Sequence, residues 1–223
     1  MTSALRTAVV AALVAPAAHA ASDMPMSDHM NDDPVEYKVM LDELEFRDAS
    51  PGTPFTWDAK AWVGRDQNRL YLRSEGAIVE GSTAATVEAL WARPISRWWN
   101  LALGVREDLG PGVSRSWLAL GVMGMAPYRI NLQATAYVGE AGQTALRVES
   151  EYDMLLTNRL ILQPRLDLDA YGKDDPDSGI ESGVSMDLGL RLRYEVRREF
   201  APYIGVTWDT HELQALAGLH IWF

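Results

Sequence analysis

The chain has 223 residues, a formal net charge of −11 and no cysteine. The absence of cysteine excludes a disulfide framework, a thiolate metal site and a cysteine nucleophile. The acidic balance argues against a nucleic-acid partner, because phosphates attract basic surfaces, and the length is that of a single domain.

Residues 1–20 have the features of a secretory signal peptide. Arg6 supplies a positive charge, residues 7–15 form a short apolar run, and Ala18-His19-Ala20 is a small-x-small cleavage site. The apolar run is too short to span a membrane as a helix. The sequence therefore predicts an exported chain that can reside in a membrane only as a barrel. An uncleaved N-terminal helix of a soluble protein is the alternative.

Residues 21–36 are predicted to be a disordered tail, because they contain two prolines and five acids without an apolar period. The tail is nevertheless rich in soft ligands, where no core exists for methionine to fill. Thioether sulfur selects Cu(I), and imidazole binds copper in either oxidation state, whereas thioether suits zinc poorly. We interpret this segment as a copper-ion site, with Cu(I) favoured and Cu(II) accepted, formed by Met24, Met26, His29 and Met30. The alternative is a linker whose composition carries no function.

Residues 37–223 predict an all-β domain, an antiparallel transmembrane β-barrel of about twelve strands. Segments of about 10–12 residues alternate apolar and polar side chains, clearly so at 55–65, 98–108, 130–138 and 184–195. Such strands are longer than those usual in soluble sheets and fit a tilted membrane crossing. A soluble barrel with its faces reversed would give the same alternation, so other features must decide.

Three features favour the membrane: the signal peptide, the alternating last strand that ends in Phe223, and aromatic residues near strand ends. These aromatic residues are predicted to form interfacial girdles: Trp57, Trp98, Trp99, Trp117, Tyr128, Tyr152, Tyr171, Tyr194 and Tyr203. Pro164 lies on an apolar face and predicts a bulge, because a closed barrel must pair every ladder donor.

Connection lengths predict the orientation of the barrel. Short turns are expected after even-numbered strands and longer connections after odd-numbered ones, most clearly at 172–183. Short turns belong to the periplasmic side. The prediction is therefore a protein of the cell outer membrane, in contact with its lipid, whose tail lies in the periplasm.

Charges of both signs are predicted to face the lumen on three successive strands. They suit ion pairs that fill the barrel, an ion path or an active site, and the first is favoured because small barrels are filled by their own side chains. The residues are Arg147, Glu149, Glu151, Asp153, Arg165, Asp167, Asp169, Arg191 and Arg193.

From residue 37 onward the chain resembles the copper resistance protein B family. The resemblance rests on Tyr37-Lys38-Val39-Met40-Leu41-Asp42-Glu43-Leu44-Glu45 and on blocks at 57–64, 135–140, 151–153, 157–165 and 191–195. The resemblance implies a copper-binding outer-membrane barrel that helps cells tolerate excess copper. A periplasmic copper oxidase is a candidate partner.

The chain departs from that family in two places. The tail keeps only four copper-ligand candidates, where the family has long Met- and His-rich repeats. The family also has a longer connection before the last strand, whereas here Asp209-Thr210-His211 leads almost directly into it. A general porin-type solute channel is the main alternative function. A lipid hydrolase or acyltransferase needs a serine, a histidine and an acid close together, and no such set is evident around His29, His211 or His220. We therefore predict a protein that is not an enzyme.

Overall fold

The computed structural model describes residues 33–49, 52–175, 180–209 and 212–223. The predicted signal peptide and almost all of the predicted tail lie outside these residues. None of the helices in the described ranges is long and apolar enough to cross a membrane.

The described strands form one closed antiparallel barrel. They are β1 (Glu36–Asp48), β2 (Phe55–Arg65), β3 (Asn68–Val79), β4 (Ser82–Pro94), β5 (Trp99–Leu109), β6 (Arg115–Ala126), β7 (Ile130–Gly139), β8 (Thr144–Glu151), β9 (Met154–Leu155), β10 (Leu160–Tyr171), β11 (Gly183–Tyr194), β12 (Phe200–Trp208) and β13 (Leu213–Trp222). The last strand pairs with the first, and β10 pairs with β11. The short β9 follows β8 along the same neighbour, so the wall has twelve strands, as predicted.

The two faces of each strand differ in the way the alternation predicts. On β5, the outward Leu103 and Val105 are 52% and 53% exposed, whereas Arg106, the next residue of the same strand, is only 3% exposed. The same holds on β6, where Leu118 is exposed and its neighbour Trp117 is buried. Because successive side chains point to opposite faces, the apolar set lies outside and the charged set inside. This polarity is that of a barrel solvated by lipid.

The aromatic residues near strand ends do not all face outward. Trp98, Tyr128 and Tyr194 are exposed on the outside, as girdle residues should be. Trp117 and Tyr203 are buried in the lumen, and Tyr171 packs there against the buried apolar cluster, so the girdle prediction is wrong for these three. Position along a strand fixes the height of a side chain, but parity fixes its face, and the lumen needs bulky side chains to fill it.

Pro164 is accommodated differently from the prediction. The ladder between β10 and β11 is unbroken, with Pro164 opposite Leu190. The interruption lies instead on the neighbouring strand, between β8 and β9, where the Tyr152 backbone N–H donates to the Pro164 carbonyl at 3.1 Å. The missing N–H of Pro164 therefore faces a gap in the adjacent ladder, and β10 needs no bulge.

The first strand contains a β-bulge that explains its weak alternation. Its register with β2 runs from Leu41–Ala59 directly to Glu43–Asp58, so Asp42 is the extra residue. The pairing with β13 shifts at the same place. One extra residue reverses the parity of everything beyond it, and both carboxylates at the bulge reach the lumen.

Connection lengths agree with the prediction only in part. The longest connection, at 172–182, lies where a long one was expected. It follows β10, which is the ninth strand of the wall when the short β9 is counted together with β8. The connection after β3, however, is a two-residue turn at Glu80 and Gly81, both with positive φ. Such a turn matches the twist of a hairpin, which makes β3 and β4 a tight pair on the side where longer loops were expected.

The lumen is lined by two unlike surfaces. The apolar wall, on β4 to β7, is a buried cluster of Leu90, Ala92, Ala102, Trp117, Ala119, Met123 and Tyr137. The charged wall comprises the inward side chains of β1 to β3, β8, β10 and β11. We refer to the end where β1 begins and β13 finishes as the N-terminal end.

Candidate functional site in the barrel lumen

The four predicted copper ligands, Met24, Met26, His29 and Met30, lie outside the described residues. The candidate site that the structure does describe is the charged wall of the lumen, together with the residues that meet it from the opposite side.

The β1 bulge places two consecutive carboxylates inside the barrel. Asp42 Oδ2 lies 3.4 Å from Lys60 Nζ. Glu43 is 6% exposed; it forms ion pairs with Arg165 and with Arg191, the latter at 2.8 Å. A regular strand would turn one of these two acids outward, so the bulge doubles the negative charge at this height of the lumen.

Lys60 connects opposite sides of the barrel. Its Nζ lies 3.1 Å from Asp58 Oδ2 on its own strand and 3.6 Å from Glu149 Oε2 on β8. Six strand-to-strand steps separate β2 from β8 in either direction around the ring. The contact between Lys60 and Glu149 therefore crosses the full width of the lumen.

Two arginines make further contacts across the lumen. Arg165 on β10 pairs with Asp167 on its own strand at 2.7 Å and reaches Asp58 on β2 at 3.2 Å. Arg147 on β8 pairs with Asp169 at 2.7 Å and with Glu75 on β3 at 2.7 Å. Guanidinium groups suit this role because they offer several donors in a fixed plane.

Glu45 is the most enclosed carboxylate and is fully buried. Arg191 donates to both of its oxygens at 3.2 Å, Arg47 donates at 2.7 Å, and the Tyr203 hydroxyl donates at 2.9 Å. A buried charge is tolerated only when it is paired and hydrogen-bonded in this way. Gly218 lies beneath this group: a Cβ there would come within 2.6 Å of the Tyr203 ring and hydroxyl.

Glu88 forms a second enclosed group beside the apolar wall. It is paired with Arg73, and the Tyr137 hydroxyl donates to it at 2.5 Å. Arg73 also donates to Gln133 at 2.8 Å and lies 3.8 Å from Glu149. The two enclosed carboxylates are therefore linked through the ion pairs that cross the lumen.

The predicted charge ladder is present, but its partners were only partly foreseen. Arg147–Asp169, Arg165–Asp167 and Arg193–Asp153 pair as the ladder implies. Glu149 and Arg191 instead find their partners on β1 to β3, at Lys60, Arg73, Glu43 and Glu45. Strand parity showed that Asp58, Lys60 and Arg73 share one face, but no sequence pattern reports a contact across a lumen.

Several lumenal carboxylate oxygens retain binding capacity. Asp58 Oδ1, Glu149 Oε2 and Asp167 Oδ1 are buried without a hydrogen-bond partner among the described residues. Glu149 Oε2 still lies 3.6 Å from the Lys60 ammonium. Oxygens of this kind can accept water or a cation, so the network is not saturated by its own arginines.

The end of the barrel opposite the N-terminal end is covered in part by the connection after β10. Arg115 forms an ion pair with Asp175, and Ile180 packs against the apolar cluster. Asp175 and Ile180 exchange backbone hydrogen bonds of 2.7 and 3.0 Å. In the same connection the side chain and backbone of Ser182 lower the pKa of Asp174 by hydrogen bonding.

His220 faces the lumen near the N-terminal end, as parity predicted. Its Nδ1 lies 3.4 Å from the Asp42 carbonyl oxygen and 3.7 Å from Asp42 Oδ1. The described residues contain no group of three or more His, Cys, Asp or Glu side chains arranged to hold a metal.

Comparisons with known proteins point to one family. A family model described as copper resistance protein B precursor (CopB) matches residues 35–223. A copper resistance protein B homolog of Pseudomonas syringae pv. tomato is 42% identical over 212 residues, covering 87% of this chain and 72% of the relative. A copper resistance protein B of Escherichia coli matches with the same identity and coverage.

Solved structures support the fold. The KdgM porin aligns with a TM-score of 0.56 at 13% identity, covering 83% of this chain and 99% of the porin. The NanC porin aligns with a TM-score of 0.56 at 12% identity over the same shares. At these identities the likeness concerns the barrel alone.

Proposed function

This chain belongs to the copper resistance protein B family, and we propose that it binds copper ions at the outer membrane and holds or passes them there. The family match over residues 35–223 carries the proposal, because it supports a role in copper resistance. The barrel has apolar side chains outside and charged side chains inside, the reverse of a soluble barrel, and this supports residence in a lipid bilayer.

The charged wall favours a selective protein over an open pore. The contact of Lys60 with Glu149 and that of Arg147 with Glu75 cross the lumen at several heights. A general diffusion channel keeps a continuous water-filled passage, whereas these side chains fill the centre. Carboxylates that are paired but not saturated suit a barrel that handles cations one at a time.

The tail is proposed as the principal copper site. Met24, Met26, His29 and Met30 offer three thioethers and one imidazole, a set that favours Cu(I) and accepts Cu(II). A signal peptide at residues 1–20 would place the mature chain outside the cytoplasm. Short turns at the N-terminal end favour a periplasmic tail, where a copper oxidase could exchange ions with it.

The test is an anaerobic Cu(I) titration of the mature protein against a competing chelator. We expect a variant with Met24, Met26 and Met30 changed to Leu and His29 changed to Gln to lose its tightest site. Leucine preserves apolar volume while removing the sulfur. The matched control changes Met154 and Met186 to Leu, since both lie on outward strand positions opposite Leu162 and Leu168. Equal affinity in the tail variant and the control would refute the tail assignment.

A solute channel is the second candidate, because the KdgM porin shows that a barrel of this fold can also serve as a porin. Planar-bilayer conductance distinguishes the two. A steady conductance for sodium chloride in the absence of copper, unchanged by copper addition, would favour the channel. We expect instead a low basal conductance, because ion pairs occupy the lumen.

A further inference from the structure

The methionines of the described strands divide between the two faces of the barrel in an ordered way. Met40, Met123 and Met125 pair with inward residues, opposite Lys60, Gln133 and Asn131 respectively. All three lie nearer to the N-terminal end of the barrel than to its opposite end. The thioethers of the described lumen therefore lie towards the N-terminal end, whereas acids and arginines extend further along the lumen.

His220 is held beside the bulge of β1 in a geometry that suits a metal. Nδ1 of His220 lies 3.7 Å from Asp42 Oδ1, which is too long for a hydrogen bond. Nδ1 lies 3.4 Å from the Asp42 carbonyl oxygen, which can only accept, so Nδ1 carries the ring proton and donates it there. Metal-binding histidines usually donate one ring N–H to a backbone carbonyl in this way and bind the ion through the other nitrogen. Nε2, which makes no hydrogen bond or ion pair among the described residues, is therefore the nitrogen available to an ion.

Met40 lies next to this pair on the same inner surface. It is directly opposite Trp222 on β13, and His220 is two residues before Trp222. Diagonal neighbours of this kind are about 7–8 Å apart at Cα, within reach of a long side chain. Met40 also precedes Asp42 by two residues on β1. The lumenal direction of Met40 follows from its register partner Lys60, whose Nζ reaches Glu149 across the lumen.

We propose that Met40, Asp42 and His220 form a copper site on the inner wall, separate from the tail. The inference rests on the proposed function, which names copper as the cargo. Thioether and imidazole together select Cu(I), and the carboxylate allows Cu(II). The β1 bulge creates the site, because it turns Asp42 towards His220.

The charges around the site are balanced. Lys60 lies 3.4 Å from Asp42 Oδ2 and leaves Oδ1, the oxygen nearer His220, outside that ion pair. Among the described residues, the hydrogen bonds and ion pairs of the His220 ring go to Asp42 alone. The Asp42 charge is offset by Lys60, and Arg193, which also lies near His220, is paired with Asp153 at 3.0 Å, so the site adds little net charge. A monovalent soft cation is therefore favoured over a hard divalent one.

The site lies near the N-terminal end of the lumen. Met30 and Met40 are ten residues apart in the sequence, a separation that an extended chain spans in at most about 35 Å. The carboxylates at Glu43, Asp58 and Glu149 lie beyond the site along the lumen.

The experiment uses the full mature chain with the tail silenced, that is, with Met24, Met26 and Met30 changed to Leu and His29 changed to Gln. We expect this background to retain one Cu(I) equivalent in an anaerobic chelator competition. Adding Met40→Leu or His220→Gln should weaken that binding at least about tenfold. X-ray absorption of the bound copper should lose its sulfur scatterer only with Met40→Leu.

Two control variants carry the same chemical change elsewhere. Met186→Leu removes an outward thioether, and Met123→Leu removes one from the apolar wall, so both should leave the copper equivalent intact. Unchanged heat-modifiable migration of each variant shows that the barrel has folded.

The outcomes separate this inference from the proposed function. If the unaltered chain binds no copper, the proposed function fails and the wall site fails with it. If the unaltered chain binds copper but the silenced background does not, the tail stands and the wall site is refuted. If Met40→Leu and His220→Gln match Met186→Leu, the retained copper lies elsewhere and the three-residue site is refuted.

Discussion

The apolar wall and the charged wall fill the same lumen by different physics. Leu90 and its neighbours on β4 to β7 pack without direction, so each depends mainly on the volume around it. Arg165 and Lys60 depend on named partners that lie on distant strands. The difference implies that the apolar wall stabilises the barrel locally. The charged wall fixes the positions of strands that are far apart in the ring.

Removing one cation of the charged wall should have the largest effect. Arg165→Met keeps the length of the side chain but leaves Glu43, Asp58 and Asp167 without a shared partner. An uncompensated buried charge costs about 3–5 kcal/mol. We expect a clear fall in the thermal transition of the barrel in detergent, followed by circular dichroism.

The control for this change is Arg97→Met, which alters an arginine that lies over the Trp98 ring at the rim, 5.3 Å from its centroid. This variant should lower the free energy of unfolding by less than about 1 kcal/mol, which is the scale of an exposed cation–π contact. A similar loss in both variants would mean that the contacts across the lumen contribute no more than a surface arginine.

Truncation in the apolar wall should have a smaller effect. Leu90→Ala empties space at a fully buried position and should cost about 2–4 kcal/mol. The comparison is Leu103→Ala on the outer face, where 52% of the residue is exposed and detergent or lipid can refill the space. Thermal melts of both variants measure the difference. If Leu90→Ala proves more costly than Arg165→Met, the ranking of the two walls is reversed.

The smallest change tests the fit beneath Glu45. Gly218→Ala would place a methyl within 2.6 Å of Tyr203 and 2.8 Å of the Glu45 Cβ, and overpacking of this kind costs about 1–3 kcal/mol. Gly110→Ala is the matched change, because no atom lies within 4 Å of its added Cβ. Equal melting temperatures for the two variants would show that the Tyr203 group shifts freely.

Much of the fold can be predicted from the sequence. The outer face contacts lipid and the inner face carries charges, so apolar and polar side chains alternate with a period of two along each strand. The alternation on β5, β7 and β13 gave the correct face for Leu103, Tyr137 and His220. The period does not tell an outward aromatic residue from an inward one where both faces are apolar. Trp117 therefore looked like a girdle residue and is a filler of the lumen.

The candidate site was less accessible from the sequence. The inward direction of Lys60 could be predicted from strand parity, but its contact with Glu149 depends on barrel diameter and strand number, which no local pattern carries. The β1 bulge broke the alternation and hid Glu43 and Glu45 among the weakly patterned residues. The resemblance of residues 37–45 to a known family marked that stretch, without indicating why it matters.

The bulge at Asp42 also acts on how the barrel closes. It lies at the seam where the first strand meets the last, the final ladder that a barrel of this topology can complete. A slip of two residues along a regular antiparallel seam preserves every inward and outward face, so side-chain polarity alone cannot reject it. An extra residue on one side of the seam fits its partner at one height only. The bulge therefore fixes the register of the pairing between the first and last strands, and with it the circumference of the closed barrel.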